Sequence, residues 1–136
     1  MLSRKKESKF KISGRISEGL GEGATFIKIP WVRRQFMDRL GIDPYPGTLN
    51  LKILNEDDLR KFKTLKTTEG IEILPEEPSF CKGKCYPVLI NGKLRGAIII
   101  PDVKNYPENK IEIIAQENIK ETLNVKEGDL LEIETY

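Results

Sequence analysis

The sequence predicts a mainly β fold: a small closed barrel of six strands with two or three short helices. Three observations point there. Short segments alternate apolar and polar residues with a period of two, and turn residues separate them at regular intervals. Asn91-Gly92-Lys93 divides two apolar segments, as a tight hairpin requires. Helical periodicity is confined to short stretches that do not alternate with the strands as βαβ units would.

Phe10 to Ser17 opens the fold. Phe10, Ile12 and Ile16 share one face, and Lys11, Ser13, Arg15 and Ser17 the other, the pattern of a half-buried strand. Thr25 to Ile29 alternates again and reads as a second strand. Pro30 suits the first turn of a helix in which Val32, Phe36, Met37 and Leu40 recur at helical spacing and Gly41 ends the run. Its polar side carries Arg33, Arg34 and Arg39. Asp43 to Gly47 is a rigid turn.

Thr48 to Ile53 reads as a strand with Leu49, Leu51 and Ile53 inward and Thr48 and Asn50 on the opposite face. Asn55 caps a short helix from Glu56 to Phe62. Residues 63–80 read as irregular strand and loop. Tyr86 to Ile90 and Leu94 to Ile100 form the hairpin, and the apolar run Ala97 to Ile100 marks a central strand ended by Pro101. A polar loop follows, from Asp102 to Asn109. In the next strand, Lys110 to Ile114, Ile111 and Ile113 face the core, so Glu112 faces a ligand or solvent. A short helix from Glu117 to Leu123, a turn from Val125 to Asp129 and a strand from Leu130 to Ile133 complete the chain.

The 136 residues suffice for one domain, residues 10–136, preceded by a basic, disordered tail, residues 1–9. The tail has no apolar signal core, which predicts a cytoplasmic protein. A net charge of +2 with no basic stripe argues against nucleic acid as a partner. No apolar run approaches the ~20 residues that cross a membrane. Histidine is absent, which removes histidine-based nucleophilic triads and histidine-ligated zinc. A general base must then be a carboxylate, lysine, tyrosine or water. Cys81 and Cys85 read as free thiols, too few for a structural zinc site.

Two stretches carry candidate chemistry. Gly19-Leu20-Gly21-Glu22-Gly23-Ala24 leaves a loop with little side chain over its backbone, suited either to phosphate or simply to a hairpin turn. Its place between two expected strands, and the missing GxxxxGK[ST] spacing, disfavour the dinucleotide and Walker-type loops. Thr48 and Asn50 put a hydroxyl and a carboxamide oxygen side by side. These are hard, neutral donors able to share Mg²⁺ with waters and ligand phosphates, or else an ordinary surface pair.

Taken in order, Gly19-Leu20-Gly21-Glu22-Gly23, Pro44-Tyr45-Pro46-Gly47-Thr48-Leu49-Asn50-Leu51, Gly96-Ala97-Ile98-Ile99-Ile100-Pro101 and Ile111-Glu112-Ile113-Ile114-Ala115 resemble the archaeal CTP-dependent riboflavin kinases. The resemblance runs from Phe10 to Ile133. It implies a cradle-loop barrel and the reaction riboflavin + CTP → FMN + CDP with Mg²⁺. By resemblance, Gly19, Leu20, Gly21, Glu22, Gly23 and Ala24 lie against the nucleotide, and Glu117, Asn118, Ile119 and Lys120 hold it near its base. Thr48 and Asn50 bind the metal, and Glu112 and Lys104 contact the flavin. Glu112 is also the named candidate for the catalytic base, with Glu22 as the alternative.

The chain departs from the family pattern at five positions. Lys104 stands where relatives carry a threonine, Tyr106 where they carry a histidine, and Gln116 where they carry a proline. Lys120 replaces an arginine, and Ala24 falls where a basic residue is common. The resemblance implies riboflavin or FMN and CTP or CDP as partners, and a monomer is expected. Some relatives also carry a helix-turn-helix domain, for which this sequence is too short. Two rival classes are a non-catalytic flavin- or nucleotide-binding barrel and a DNA-binding barrel, the latter prompted by the Gly128-Asp129 turn.

Overall fold

The structure, a computed structural model, describes residues 10–19, 26–79 and 81–136. The strands are β1 (Lys11–Ser17), β2 (Leu49–Lys52), β3 (Ile71–Ile73), β4 (Gly83–Ile90), β5 (Leu94–Pro101), β6 (Lys110–Ala115) and β7 (Leu130–Thr135). The helices are α1 (Pro30–Gln35), which runs on into a π turn (Phe36–Leu40), α2 (Glu56–Lys66) and α3 (Ile119–Leu123). The sheet order is β3-β4-β5-β6-β2-β1-β7, and β4 also pairs with β7. That last pairing closes a six-stranded antiparallel barrel, with β3 as an extra strand on β4. The expected fold class is borne out.

The closure explains a proline within a strand. β4 uses Gly83 to Cys85 for β3 and Val88 to Ile90 for β7. Pro87 falls in the gap between the two pairings, where a strand accommodates a residue without an N–H. The hairpin between β4 and β5 turns at Asn91 (φ 50°) and Gly92 (φ 67°), with Lys93 N–H donating to the Ile90 carbonyl at 2.9 Å. Both central residues have positive φ, as a type I′ turn demands.

Two apolar layers hold the fold. Inside the barrel lie Ile12, Ile16, Leu51, Val88, Ile98, Ile111, Ile113 and Leu131, joined at one mouth by Phe62 and Leu65 of α2. Outside it, Ile27, Trp31, Val32 and Phe36 cover Cys85, Ala97, Ile99 and Ile114. β5 and β6 are therefore buried on both faces, which is why Ala97 to Ile100 is continuously apolar. Gly96 is needed where β5 crosses β6, because a Cβ there would stand 2.5 Å from the Ile114 carbonyl oxygen.

Three local expectations are corrected. Phe26 and Ile27 are helical, not a strand. The Ile29 N–H bonds back to the Phe26 carbonyl at 3.2 Å, Pro30 fixes the start of α1, and the Phe26 ring stacks edge-on against Trp31. The apolar letters serve consecutive contacts with the outer layer and not one face of a strand. Met37 is 46% exposed although it shares the helical spacing of Phe36, because the π turn shifts the phase of the helix after Phe36. α2 runs past Phe62 to Lys66, carrying Leu65 into the core, and the Lys84 ammonium closes its end by donating to the Lys66 carbonyl at 2.7 Å. The residues 1–9 assigned to a disordered tail lie outside the described residues.

Candidate active site

Residues directly opposite one another in adjacent strands point to the same side of a sheet. Ser17 of β1 faces Asn50 of β2, Asn50 faces Glu112 of β6, and Glu112 faces Ile99 of β5. Ile99 belongs to the outer layer, so this row lies on the outside of the barrel, next to the part covered by α1. The alternation that sends Leu49, Leu51, Ile111 and Ile113 into the barrel sends Asn50 and Glu112 to this outer row.

Asn50 and Glu112 are each only 7% exposed. The Thr48 hydroxyl donates to Glu112 Oε1 at 3.3 Å, and the Tyr106 hydroxyl donates to Glu112 Oε2. Among the described residues no ion pair involves Glu112, so hydroxyl donors hold its carboxylate. Asn50 Oδ1 is the one buried side-chain polar atom among the described residues with no hydrogen-bond partner. Its amide end lies against Gly19, where a Cβ would come within 2.1 Å of Nδ2 and 2.7 Å of Cγ.

The Pro44 to Gly47 turn delivers Thr48 to this row and is pinned at several points. Arg33 of α1 holds Asp43 through two hydrogen bonds of 2.7 and 2.9 Å. These raise the Arg33 guanidinium and lower the Asp43 carboxyl from their usual ranges. Asp43 N–H donates to the Gln116 side chain at 3.2 Å, and Tyr45 N–H donates to the Ala115 carbonyl at 2.8 Å. The turn is thereby tied to α1 and to the end of β6.

A groove of about 190 Å³ opens beside Thr48, lined by Tyr45, Gly47, Thr48, Asn118, Ile119 and Lys120 among others. Asn118 caps α3, accepting the Glu121 N–H at 3.1 Å and donating to the Tyr45 hydroxyl at 3.2 Å. Glu117 and Lys120 are exposed along it, whereas Ile119 is buried with the barrel core. A larger open hollow of about 780 Å³ lies near β3, lined by Asp38, Arg39, Glu69, Glu72 and Lys84, and contains none of the candidate site residues.

The sequence-derived residues thus divide. Thr48, Asn50, Glu112 and Gly19 converge on one row, and Glu117 to Lys120 border the adjoining groove. Leu20, Gly21, Glu22, Gly23 and Ala24 lie outside the described residues. The first described residues after that loop are helical, so the exclusion of a Walker-type loop rests on spacing alone. Lys104 is exposed on the loop before β6. The residue of that loop that reaches the carboxylate is Tyr106, to which the sequence reading gave no role.

The donor set suits a hard divalent cation. Thr48, Asn50 and Glu112 offer only oxygen, and the unpartnered Asn50 Oδ1 supplies a buried lone pair without a donor. Among the described residues no group of three or more histidines, cysteines, aspartates or glutamates could hold a metal instead. No helix among them is long and apolar enough to cross a membrane.

The fold is a closed antiparallel barrel in which the half-buried Thr48 hydroxyl stands with the buried Asn50 carboxamide and Glu112 carboxylate beside a groove bordered by a capped helix. The family model for the CTP-dependent riboflavin kinase domain, described as "Domain of unknown function DUF120", matches residues 16–135, and the chain belongs to that family. It is similar to the riboflavin kinase of Archaeoglobus fulgidus, at 37% identity over 94% of this chain and 55% of the relative. It is similar to that of Methanocella arvoryzae at 43% over 88% and 54%. For the protein of the same name from Sulfurisphaera tokodaii, the figures are 40% over 92% of this chain and 94% of the relative. The chain spans about half the length of the first two and nearly all of the third.

Proposed function

We propose that this domain is a riboflavin kinase that transfers the γ-phosphate of CTP to the ribityl 5′-hydroxyl of riboflavin, giving FMN and CDP, with Mg²⁺ as cofactor. The observation that carries the proposal is the row Thr48–Asn50–Glu112 with its one unpartnered oxygen, set beside the α3 groove in a member of this family.

Thr48 and Asn50 would hold the cation, which when bound neutralises charge on the phosphates. Phosphoryl transfer asks chiefly for positioning and charge stabilisation. The role proposed for the segment 19–24 is to bind the triphosphate, and that proposed for Glu117 to Lys120 is to border the base. Glu112 accepts hydrogen bonds from the flavin. The ribityl oxygen forms the new bond to the γ-phosphorus as the bond to the bridging oxygen breaks, and CDP leaves with that electron pair. The hydroxyl proton passes to a carboxylate or to water. The domain acts in the cytoplasm, as a monomer.

The test is FMN formation from riboflavin with CTP, ATP, GTP and UTP in parallel, with and without Mg²⁺. FMN with CTP strongly preferred is the expected result. Activity with every nucleotide would remove the assignment of Glu117 to Lys120, and no FMN with any of them would remove the kinase.

A further inference from the structure

We propose that Tyr106 is a positioning residue for flavin recognition, acting through Glu112. The inference rests on the riboflavin-kinase reading above and adds to it a residue that the sequence reading left without a role.

An ionised carboxylate is acceptor-only, with about four lone-pair positions on its two oxygens. Here the Thr48 hydroxyl takes one position on Oε1 and the Tyr106 hydroxyl takes one on Oε2. The two donors come from different elements. Thr48 ends the pinned turn before β2, and Tyr106 belongs to the loop between β5 and β6. Between them they fix the plane of the carboxylate while leaving each oxygen able to accept again. The remaining lone pairs suit a ligand rich in O–H and N–H donors, such as a ribityl chain or a flavin imide.

Tyr106 is itself held. It is half-buried on a largely exposed loop, and the Lys110 ammonium lies 5.3 Å from its ring centroid. Glu112 sits on a strand buried on both faces, so its backbone cannot move to suit a ligand. Its side chain is aimed by what bonds to it. Tyr106 is the one residue of the 102–109 loop shown bonding to it, which makes this tyrosine the link between that loop and the buried row. Lys104 is exposed two positions away, so the loop contributes its hydroxyl through Tyr106.

The experiment measures riboflavin binding by quenching of flavin fluorescence, without nucleotide or metal, for the wild type, Tyr106→Phe, Glu112→Gln and the double variant. Steady-state kinetics with CTP and Mg²⁺ run alongside. Tyr106→Phe removes only the hydroxyl. A hydrogen bond to a charged group sets the scale, and riboflavin binding is expected to weaken about tenfold. The KM for CTP and kcat at saturating riboflavin should stay within about twofold. In the Glu112→Gln background the same change should weaken binding by less than about twofold, the non-additivity of two residues that act as one.

Unchanged riboflavin affinity in Tyr106→Phe would overturn the inference. So would an equal penalty in both backgrounds, which would mean that Tyr106 touches the ligand directly. Equal rises in KM for both substrates with a lowered melting temperature would also overturn it, since that marks a merely structural loss. If the wild type neither binds nor phosphorylates riboflavin, the riboflavin-kinase reading falls as well. If the wild type does both and Tyr106→Phe matches it, only this inference falls.

Discussion

Replacing Gly19 with alanine tests the site at the one point where a backbone contact sets its geometry. The φ of Gly19 is outside the left-handed region, so alanine is not barred by its own backbone. The obstacle is Asn50. An added Cβ would stand 2.1 Å from Nδ2, 2.7 Å from Cγ and 3.0 Å from Oδ1, where ordinary contact begins at 3.4 Å. The carboxamide must therefore retreat by more than an ångström, or segment 18–19 must lift away. Asn50 is buried between β1 and β6, so the overpacking should cost about 1–3 kcal/mol of stability. A shift of that size in a group that places reactants costs on the order of a hundredfold in rate. The assay is FMN formation against Mg²⁺ concentration, with thermal unfolding in parallel. A Gly19→Ala/Asn50→Ala variant separates the two effects: stability returns because the clash is gone, and activity does not. Wild-type turnover with a wild-type Mg²⁺ requirement in Gly19→Ala would refute the placement of Asn50 in the metal site.

Thr48→Ala combined with Asn50→Ala should leave a folded barrel without Mg²⁺-dependent turnover, and near-normal rates would remove the metal assignment. Glu112→Gln should raise the KM for riboflavin while sparing kcat, since its carboxylate is held as an acceptor; a fall confined to kcat would make it the base. Cys85 is buried in the outer layer, and burial pushes its thiol up to about 12 from an ordinary value of 9.0. The proton is held more tightly in the folded state, so this stabilisation is full below about pH 9 and is lost as pH rises towards 12. Between those limits wild type should lose about 1.4 kcal/mol per pH unit relative to Cys85→Ala, measured by denaturant unfolding. Parallel pH profiles would contradict the burial. Asn55→Ala should cost about 1 kcal/mol in the same assay, because the side chain caps α2 by accepting the Asp58 N–H at 2.8 Å.

Much of the fold was legible because it is written in local chemistry. Asn91-Gly92 dictates its turn, Asn55 caps the helix expected of it, and the alternation of Lys11 to Ser17 sets one strand. What failed was arbitrated by tertiary contact. Thr25 to Ile29 carries a strand-like pattern, yet the outer layer asks for consecutive apolar residues at Phe26 and Ile27, and Pro30 sets the helix that follows. The site was half legible. Strand alternation set Thr48 and Asn50 side by side and turned Glu112 away from the core, and the family resemblance supplied the roles expected of them. That Asn50 and Glu112 stand opposite each other is a matter of strand register, which no local pattern encodes. Tyr106 was hidden for a related reason: its partner is fixed by how a loop folds back over β6.

The polar atoms of this row carry a cost in stability that the proposed function accounts for. Leaving a buried polar atom unpaired costs about 1–3 kcal/mol, and Asn50 Oδ1 is such an atom. An apolar side chain at that position would extend the outer layer formed by Ile99 and Ile114 and relieve the cost. The arrangement makes sense when a ligand supplies the missing partner, since placing the donors on paired strands fixes them before the ligand arrives. The same logic applies to Glu112, whose charge is carried by two hydroxyl donors among the described residues rather than by a cation. An adjacent lysine or arginine would pair with that carboxylate and, on the proposed function, compete with the donors of the substrate. On the proposed function, the strands give up stability for a preorganised, hydroxyl-held acceptor beside an unsatisfied oxygen, and this is how that face of the barrel differs from its apolar neighbour under α1.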